Sequence, residues 1–148
     1  MANIDPIYTK QGNLGNNAGT GMNALITAAA ADYTGAGANN SLVFTAAGTV
    51  GGSTGGSFVQ RLRLKAGGTN VAAVMRVYLN NGSANTSATN NQFYGEIALP
   101  ATTAITNAVT AEIDYMMNIV LPPGWRIYCG LGAAVAAGWV VTAVAGDY

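Results

Sequence analysis

From residue 41 onward the signals are those of β structure, and in several runs apolar and polar positions alternate with a period of two, the signature of strands that bury one face. Residues 41–46 (SLVFTA) form a short β-branched run, and residues 48–56 (GTVGGSTGG) read as a flexible loop. Residues 57–66 (SFVQRLRLKA) and 69–80 (TNVAAVMRVYLN) flank Gly67-Gly68, a pair suited to a two-residue hairpin turn with positive φ. If Ala66 pairs with Thr69, Leu64 faces Val71, Leu62 faces Ala73 and Phe58 faces Val77. The opposite face then carries Arg61, Arg63, Lys65 and Arg76. A slip of one residue destroys that sorting, so the spacing predicts a hairpin in this register.

Further along, residues 81–91 (NGSANTSATNN) are a loop of turn formers, and residues 92–99 are a strand closed by Pro100. Residues 111–120 set Ile113, Tyr115, Met117 and Ile119 against Glu112, Asp114, Met116 and Asn118. Leu121-Pro122-Pro123-Gly124 is a turn; Trp125, Ile127, Cys129 and Leu131 then share one side of a strand. Residues 138–145 form a closing apolar strand, with residues 146–148 as a tail. Residues 22–33 are ambiguous: Met22, Leu25, Ile26, Ala29 and Tyr33 fit a helical stripe, yet Leu25-Ile26-Thr27 equally opens a strand. With residues 25–31 counted as a strand there are eight, separated by turns. That predicts an all-β, single-domain antiparallel sandwich or jelly roll over residues 23–148.

Residues 1–22 read as an extended arm, because residues 11–21 offer only Leu14 as a large apolar side chain. Such a segment gains too little from burial to order itself, so its expected place is on a neighbour. Met1 to Pro6 shows neither a charged n-region nor an apolar h-region, so no secretory signal is expected. Residues 127–146 carry no charge, but Gly and Ala fill most of them and Gly138 interrupts, which fits two buried strands better than a membrane helix.

With 148 residues the chain is long enough for one domain that buries roughly two thirds of its unfolded surface. Charged residues are only 8%, against a usual ~25%, and six Lys+Arg balance six Asp+Glu. Zero net charge gives no general attraction to phosphates or anionic lipid, so neither nucleic acid nor membrane is an expected partner. A neutral, charge-poor surface also resists self-association poorly, which points to a working oligomer. The lone Cys129 excludes an internal disulfide and reads as a small core residue.

Chemistry finds little support. The chain has no histidine, which removes Ser-His and Cys-His nucleophile pairs and leaves only carboxylates or one thiolate for a metal. Gly51-x-Ser53-x-Gly55 has the letters of a nucleophile elbow, but it lies in a loop. Gly19-x-Gly21-x-x-Ala24 imitates a dinucleotide fingerprint without a preceding strand. Glu112 and Asp114, with Glu96 nearby, are a carboxylate pair without the aromatic platforms of a glycosidase cleft. Asn39, Asn81 and Asn85 head glycosylation triplets that, without a secretory signal, read as turn chemistry. Catalysis and cofactors are therefore not expected.

Arg61, Arg63, Lys65 and Arg76 face the question of partners. Local cross-strand pairing with Glu96, Glu112 and Asp114 is the simpler reading. In the alternative, basic and acidic patches on different edges meet between copies, which makes Arg61, Arg63, Lys65, Arg76, Glu112 and Asp114 interface candidates. In the arm, the corresponding candidates are Ile4, Ile7, Tyr8, Lys10 and Leu14.

The run 41–46, the glycine loop after it, Arg61-Leu62-Arg63-Leu64-Lys65-Ala66, residues 68–72 and 76–82, the Leu121-Pro122-Pro123-Gly124 turn and the Gly146-Asp147-Tyr148 ending resemble small virion proteins of tailed bacteriophages. The resemblance covers residues 25–148 and leaves the arm outside. It implies a strand at residues 25–31, a jelly-roll-type sandwich, and a protein that decorates or cements the capsid surface. It also implies synthesis in the bacterial cytoplasm, with the major capsid protein and further copies of itself, as a dimer or trimer, for partners. The alternative is a tail or fibre adhesion module holding host carbohydrate at loop 81–91, with Tyr78, Tyr94 and Trp125 as stacking faces.

Overall fold

A computed structural model describes residues 24–30, 32–50 and 53–147. The predicted arm, with Ile4, Ile7, Tyr8, Lys10 and Leu14, lies outside the described residues. Ten strands follow in chain order: β1 (Ala24–Ile26), β2 (Ser41–Thr45), β3 (Thr49–Val50), β4 (Ser53–Thr54), β5 (Ser57–Ala66), β6 (Ala73–Asn80), β7 (Asn91–Leu99), β8 (Glu112–Leu121), β9 (Arg126–Leu131) and β10 (Trp139–Asp147). β3 and β4 pair only with each other, a small ribbon inside the predicted glycine loop. The other eight build two antiparallel sheets, β1-β10-β5-β8 and β2-β9-β6-β7.

Counted among those eight strands alone, the sheet orders are first-eighth-third-sixth and second-seventh-fourth-fifth. This is jelly-roll connectivity: the chain changes sheet at every connection except β6–β7. Each sheet turns one apolar face inward. Leu62 and Leu64 of β5, Met117 of β8, and Trp139, Val141 and Ala143 of β10 meet Val43, Met75, Val77, Ile97, Leu99, Ile127, Cys129 and Leu131 of the second sheet. All of these are buried, in the alternation the sequence predicts for β5, β8 and β9. The uncharged stretch 127–146 is accordingly two strands and the turn between them, and among the described residues no helix is long and apolar enough to cross a membrane.

The predicted hairpin does not form. β5 and β6 belong to different sheets, so their apolar faces oppose each other across the core and are not side by side. Gly67 and Gly68 do not have positive φ; among the described residues the glycines that do are Gly35, Gly82, Gly124 and Gly138. What Gly67 supplies is close approach: its N–H donates to the Gly138 carbonyl at 2.9 Å, and an added Cβ would sit 2.6 Å from the Ala137 oxygen. On one neighbour of each strand the charges are matched, with Lys65 opposite Glu112, Arg63 opposite Asp114, and Arg76 opposite Glu96.

The ambiguous segment opens as the short strand β1 and then leaves the first sheet. Ala29 forms an isolated bridge with Leu131 of β9, and Ala30 N–H donates to the Leu131 carbonyl. Of the expected 25–31 strand only Leu25 and Ile26 pair with β10, together with Ala24 before it. The expected tail is partly strand, since Gly146 and Asp147 pair with Phe58 and Ser57.

Candidate interaction surface

β5 turns its polar face to solvent because Leu62 and Leu64 are committed to the core, which forces Arg61, Arg63 and Lys65 outward. On the adjacent strand β8, Ile113, Tyr115 and Met117 pack inward and leave Glu112, Asp114 and Met116 outside. The result is a ladder of ion pairs. Arg63 Nη2 lies 2.7 Å from Glu112 Oε1, Lys65 Nζ 3.6 Å from Glu112 Oε2, and Arg61 Nε 3.3 Å from Asp114 Oδ1. The Arg61 contact is at ion-pair distance without hydrogen-bond alignment, and its Nη1 donates to Gln60 Oε1. Lys65 Nζ also donates to the Thr110 carbonyl at 2.9 Å. The hydrogen bond and charge of Arg63, assisted by Lys65, hold the Glu112 carboxyl below its ordinary range, and Glu112 in turn raises the Arg63 guanidinium. A general acid needs the opposite shift.

Arg76 does not join this face; it belongs to the other sheet. There its Nε donates to Glu96 Oε1 at 3.1 Å, and its guanidinium lies 4.1 Å from the centroid of the Tyr33 ring. Tyr33 meets Phe93 edge-on, and Phe93 leans on Tyr78. Sequence reasoning missed this cluster, which is built by the segment around residues 32–40 lying over the outer face of the second sheet. Asp32 Oδ1 accepts hydrogen bonds from the Thr34 N–H and hydroxyl and from the Gly35 N–H, a turn legible in Asp32-Tyr33-Thr34-Gly35. Burial pushes the Asp32 carboxyl up, but hydrogen bonds from Thr34, Gly35 and Gly37 outweigh it and lower its pKa. Tyr78 donates its hydroxyl to the Asp32 carbonyl at 2.6 Å.

These contacts revise the carbohydrate expectation. Tyr78 is 0% exposed and presents no stacking face, while Tyr94 and Trp125 are half-buried against the core. The amides of loop 81–91 largely serve the loop itself: Asn80 Nδ2 donates to Asn91 Oδ1, Asn90 Nδ2 to the Ala84 carbonyl, and Asn91 Nδ2 to the Asn85 and Ser87 carbonyls. Among the described residues the exposed aromatic side chains are Tyr33, in the segment over this sheet, and Phe93 of β7.

Ser53 of the elbow-like motif falls in the ribbon strand β4, not on a strand-to-helix turn. Cys129 is fully enclosed, and burial pushes its thiol pKa far up. Among the described residues no group of His, Cys, Asp or Glu is placed to hold a metal ion. A shallow depression of about 250 Å³ beside β1 is lined by Leu25, Ile26, Thr27, Asn39, Asn40 and Ser41 among others, which supply hydroxyl and amide groups but no carboxylate, thiol or base. No protein-family model, no curated protein and no solved structure matches the chain.

Proposed function

We propose that this chain is a structural protein of a tailed-phage virion that binds the outside of the capsid and cements neighbouring major capsid subunits. The observation that carries the reading is the jelly-roll connectivity. Jelly rolls serve coat proteins, lectins and cupins alike, so the choice among them rests on side chains. A cupin metal centre draws on histidine, and the chain has none. Coat chemistry needs only large surfaces suited to protein. Here the outer charges neutralise one another, while Leu25, Met116 and Val120 stand more than half exposed.

Cementing is a binding function: many copies, each holding weakly, resist the opening of seams between capsid subunits through multivalency. The proposed site of action is the capsid surface, after synthesis in the bacterial cytoplasm. The arm, residues 1–22, is the proposed bridge to a neighbour. Quantitative mass spectrometry of purified virions, scaled to the major capsid protein, tests the reading. A copy ratio near one or a simple fraction is expected, and absence from the particle overturns it. The exposed Tyr33–Phe93 corner favours a second reading, a tail adhesion module for host carbohydrate. A handful of copies per particle together with a glycan-array signal would select that one.

A further inference from the structure

We infer that the outer face of the first sheet is a two-fold self-association surface, in which β5 of one protomer lies over β8 of a second copy. Residues directly opposite on neighbouring strands point to the same side of a sheet. The register therefore orders this face into levels: Leu25, Val140, Lys65 and Glu112; then Thr142, Arg63 and Asp114; then Val144, Arg61 and Met116; then Gly146, Phe58 and Val120. Cations run down β5. On β8 the carboxylates occupy the first two levels and exposed apolar side chains the last two, with Met116 54% and Val120 58% exposed.

Face-to-face contact between two such surfaces has two simple symmetric solutions. A two-fold axis perpendicular to the strands and in the interface stacks β5 on β5 with the levels reversed, setting Arg63 against Arg61 of the partner subunit and leaving Glu112 and Asp114 over apolar side chains. An axis parallel to the strands, running between β5 and β8, exchanges those strands and preserves every level. Lys65 then lies over Glu112 of the partner subunit, Arg63 over Asp114 of the partner subunit, Arg61 over Met116 of the partner subunit, and Phe58 over Val120 of the partner subunit. Unlike charges meet at two levels and apolar groups meet at the end of the face, each contact being made twice as an isologous interface requires. The pattern is self-complementary under one operator and repulsive under the other, and that difference selects the occupant as a second copy.

The ion pairs within each protomer leave room for this. The five charged side chains retain between 32% and 51% of their exposure, and a guanidinium offers five N–H donors. From strand spacing and rise, the overlapping β5–β8 area is on the order of 300 Å² per protomer, or about 600 Å² in total. That is below the size of a stable specific interface, so the contact is weak alone, needs high protein concentration, and is sensitive to salt. The inference concerns contact between two copies only and stands apart from the capsid assignment.

Sedimentation equilibrium of the full chain, with folding checked by circular dichroism, tests it through a charge swap. The doubly substituted Arg63→Glu/Lys65→Glu protein has an acidic face, and Glu112→Lys/Asp114→Lys has a basic one. Wild type is expected to be a monomer–dimer equilibrium whose dissociation constant rises several-fold from low to high salt. Each swapped protein alone is expected to bind itself at least about tenfold more weakly, and an equimolar mixture to restore the dimer. Met116→Lys, which leaves the ion pairs intact, is expected to weaken the dimer as well. A wild-type monomer at all concentrations, a trimer, or swapped proteins that dimerise as wild type does would each overturn the proposal.

Discussion

Asn70 and Gly138 exchange two hydrogen bonds: the Gly138 N–H donates to Asn70 Oδ1 at 2.9 Å, and Asn70 Nδ2 donates back to the Gly138 carbonyl at 3.0 Å. Oδ1 also accepts the Ala137 N–H at 2.9 Å, and Nδ2 reaches the Gly68 carbonyl at 3.4 Å. One side chain thus fastens the β5–β6 crossing to the turn before β10. The main chain of Asn70 is held as well, in a two-way bridge with Thr102. Asn70 is buried, so Asn70→Ala leaves the Ala137 and Gly138 N–H groups without their acceptor, while the Gly138 carbonyl keeps the Gly67 N–H. A loss of about 3 kcal/mol is expected. Urea unfolding should show a lower midpoint at unchanged slope. A variant within a few tenths of wild type would mean that the crossing does not depend on this amide.

Gly138 has φ +79°, and an added Cβ would lie 2.8 Å from both Leu25 Cδ1 and Thr27 Cγ2 and 3.0 Å from the Ile26 carbonyl. Gly124 has φ +75° with open space around it. Gly124→Ala should therefore cost only the left-handed backbone penalty, about 1 kcal/mol. Gly138→Ala adds overpacking against β1 and should cost at least about 1 kcal/mol more. Equal losses in thermal or urea unfolding would refute the role assigned to close packing.

Burial pushes the Tyr78 phenol up from 10.0 to about 12, with the Asp32 carboxylate acting in the same direction. Because the folded state holds this proton more tightly than the unfolded state does, the contribution to stability is whole below pH 10 and is lost as pH rises through about 12. Tyr78→Phe is expected to lose about 1 kcal/mol at neutral pH with the hydroxyl's bond to Asp32. Its stability should then fall less steeply than that of wild type across the alkaline window. Tyr115, also raised by burial, contributes to the decline that remains. Parallel alkaline slopes in the two proteins would contradict this.

Cys129 faces the core between Ile127 and Leu131, fully buried, and its thiol pKa is raised by desolvation. Since the thiolate is the reactive form, the native protein should resist a disulfide reagent and react stoichiometrically once unfolded. Prompt labelling in native buffer would show that β9 opens locally.

Deleting residues 1–22 is expected to leave the sandwich folded, with a thermal midpoint close to that of the full chain, while capsid binding weakens. The measurement is co-sedimentation with capsids that lack this protein. Equal affinity of the two forms removes the arm from the proposed bridge.

The extents of most strands were readable from the sequence. The run 57–66 coincides with β5, and the alternation around Ile113 and Tyr115 reproduces the two faces of β8. Burial of one face leaves a local mark every second residue, and that mark survives in the letters. Strand neighbours leave no such mark. Arg63 bridges to Glu112 and Arg76 to Glu96, so local neutralisation of these charges was legible while the strands that provide it were not. Gly67-Gly68 misled because glycine serves both positive φ and close backbone approach, and only the position of Ala137 and Gly138 decides between them. The cluster of Tyr33, Arg76 and Phe93 was invisible for the same reason. Its members come from three distant segments joined by a turn at Asp32.

β10 is an inner strand of the first sheet, flanked by β1 on one side and β5 on the other. In the order of synthesis, the earliest described strand waits for the last: Ala24 sits opposite Val141. A ribosome stalled after residue 138 has made every strand of the second sheet, yet in the first β1 has no partner and β5 has only β8. The first sheet therefore closes only when β10 is added, a step slowed by long loop closure. A chain that stops before β10 cannot display the finished outer face.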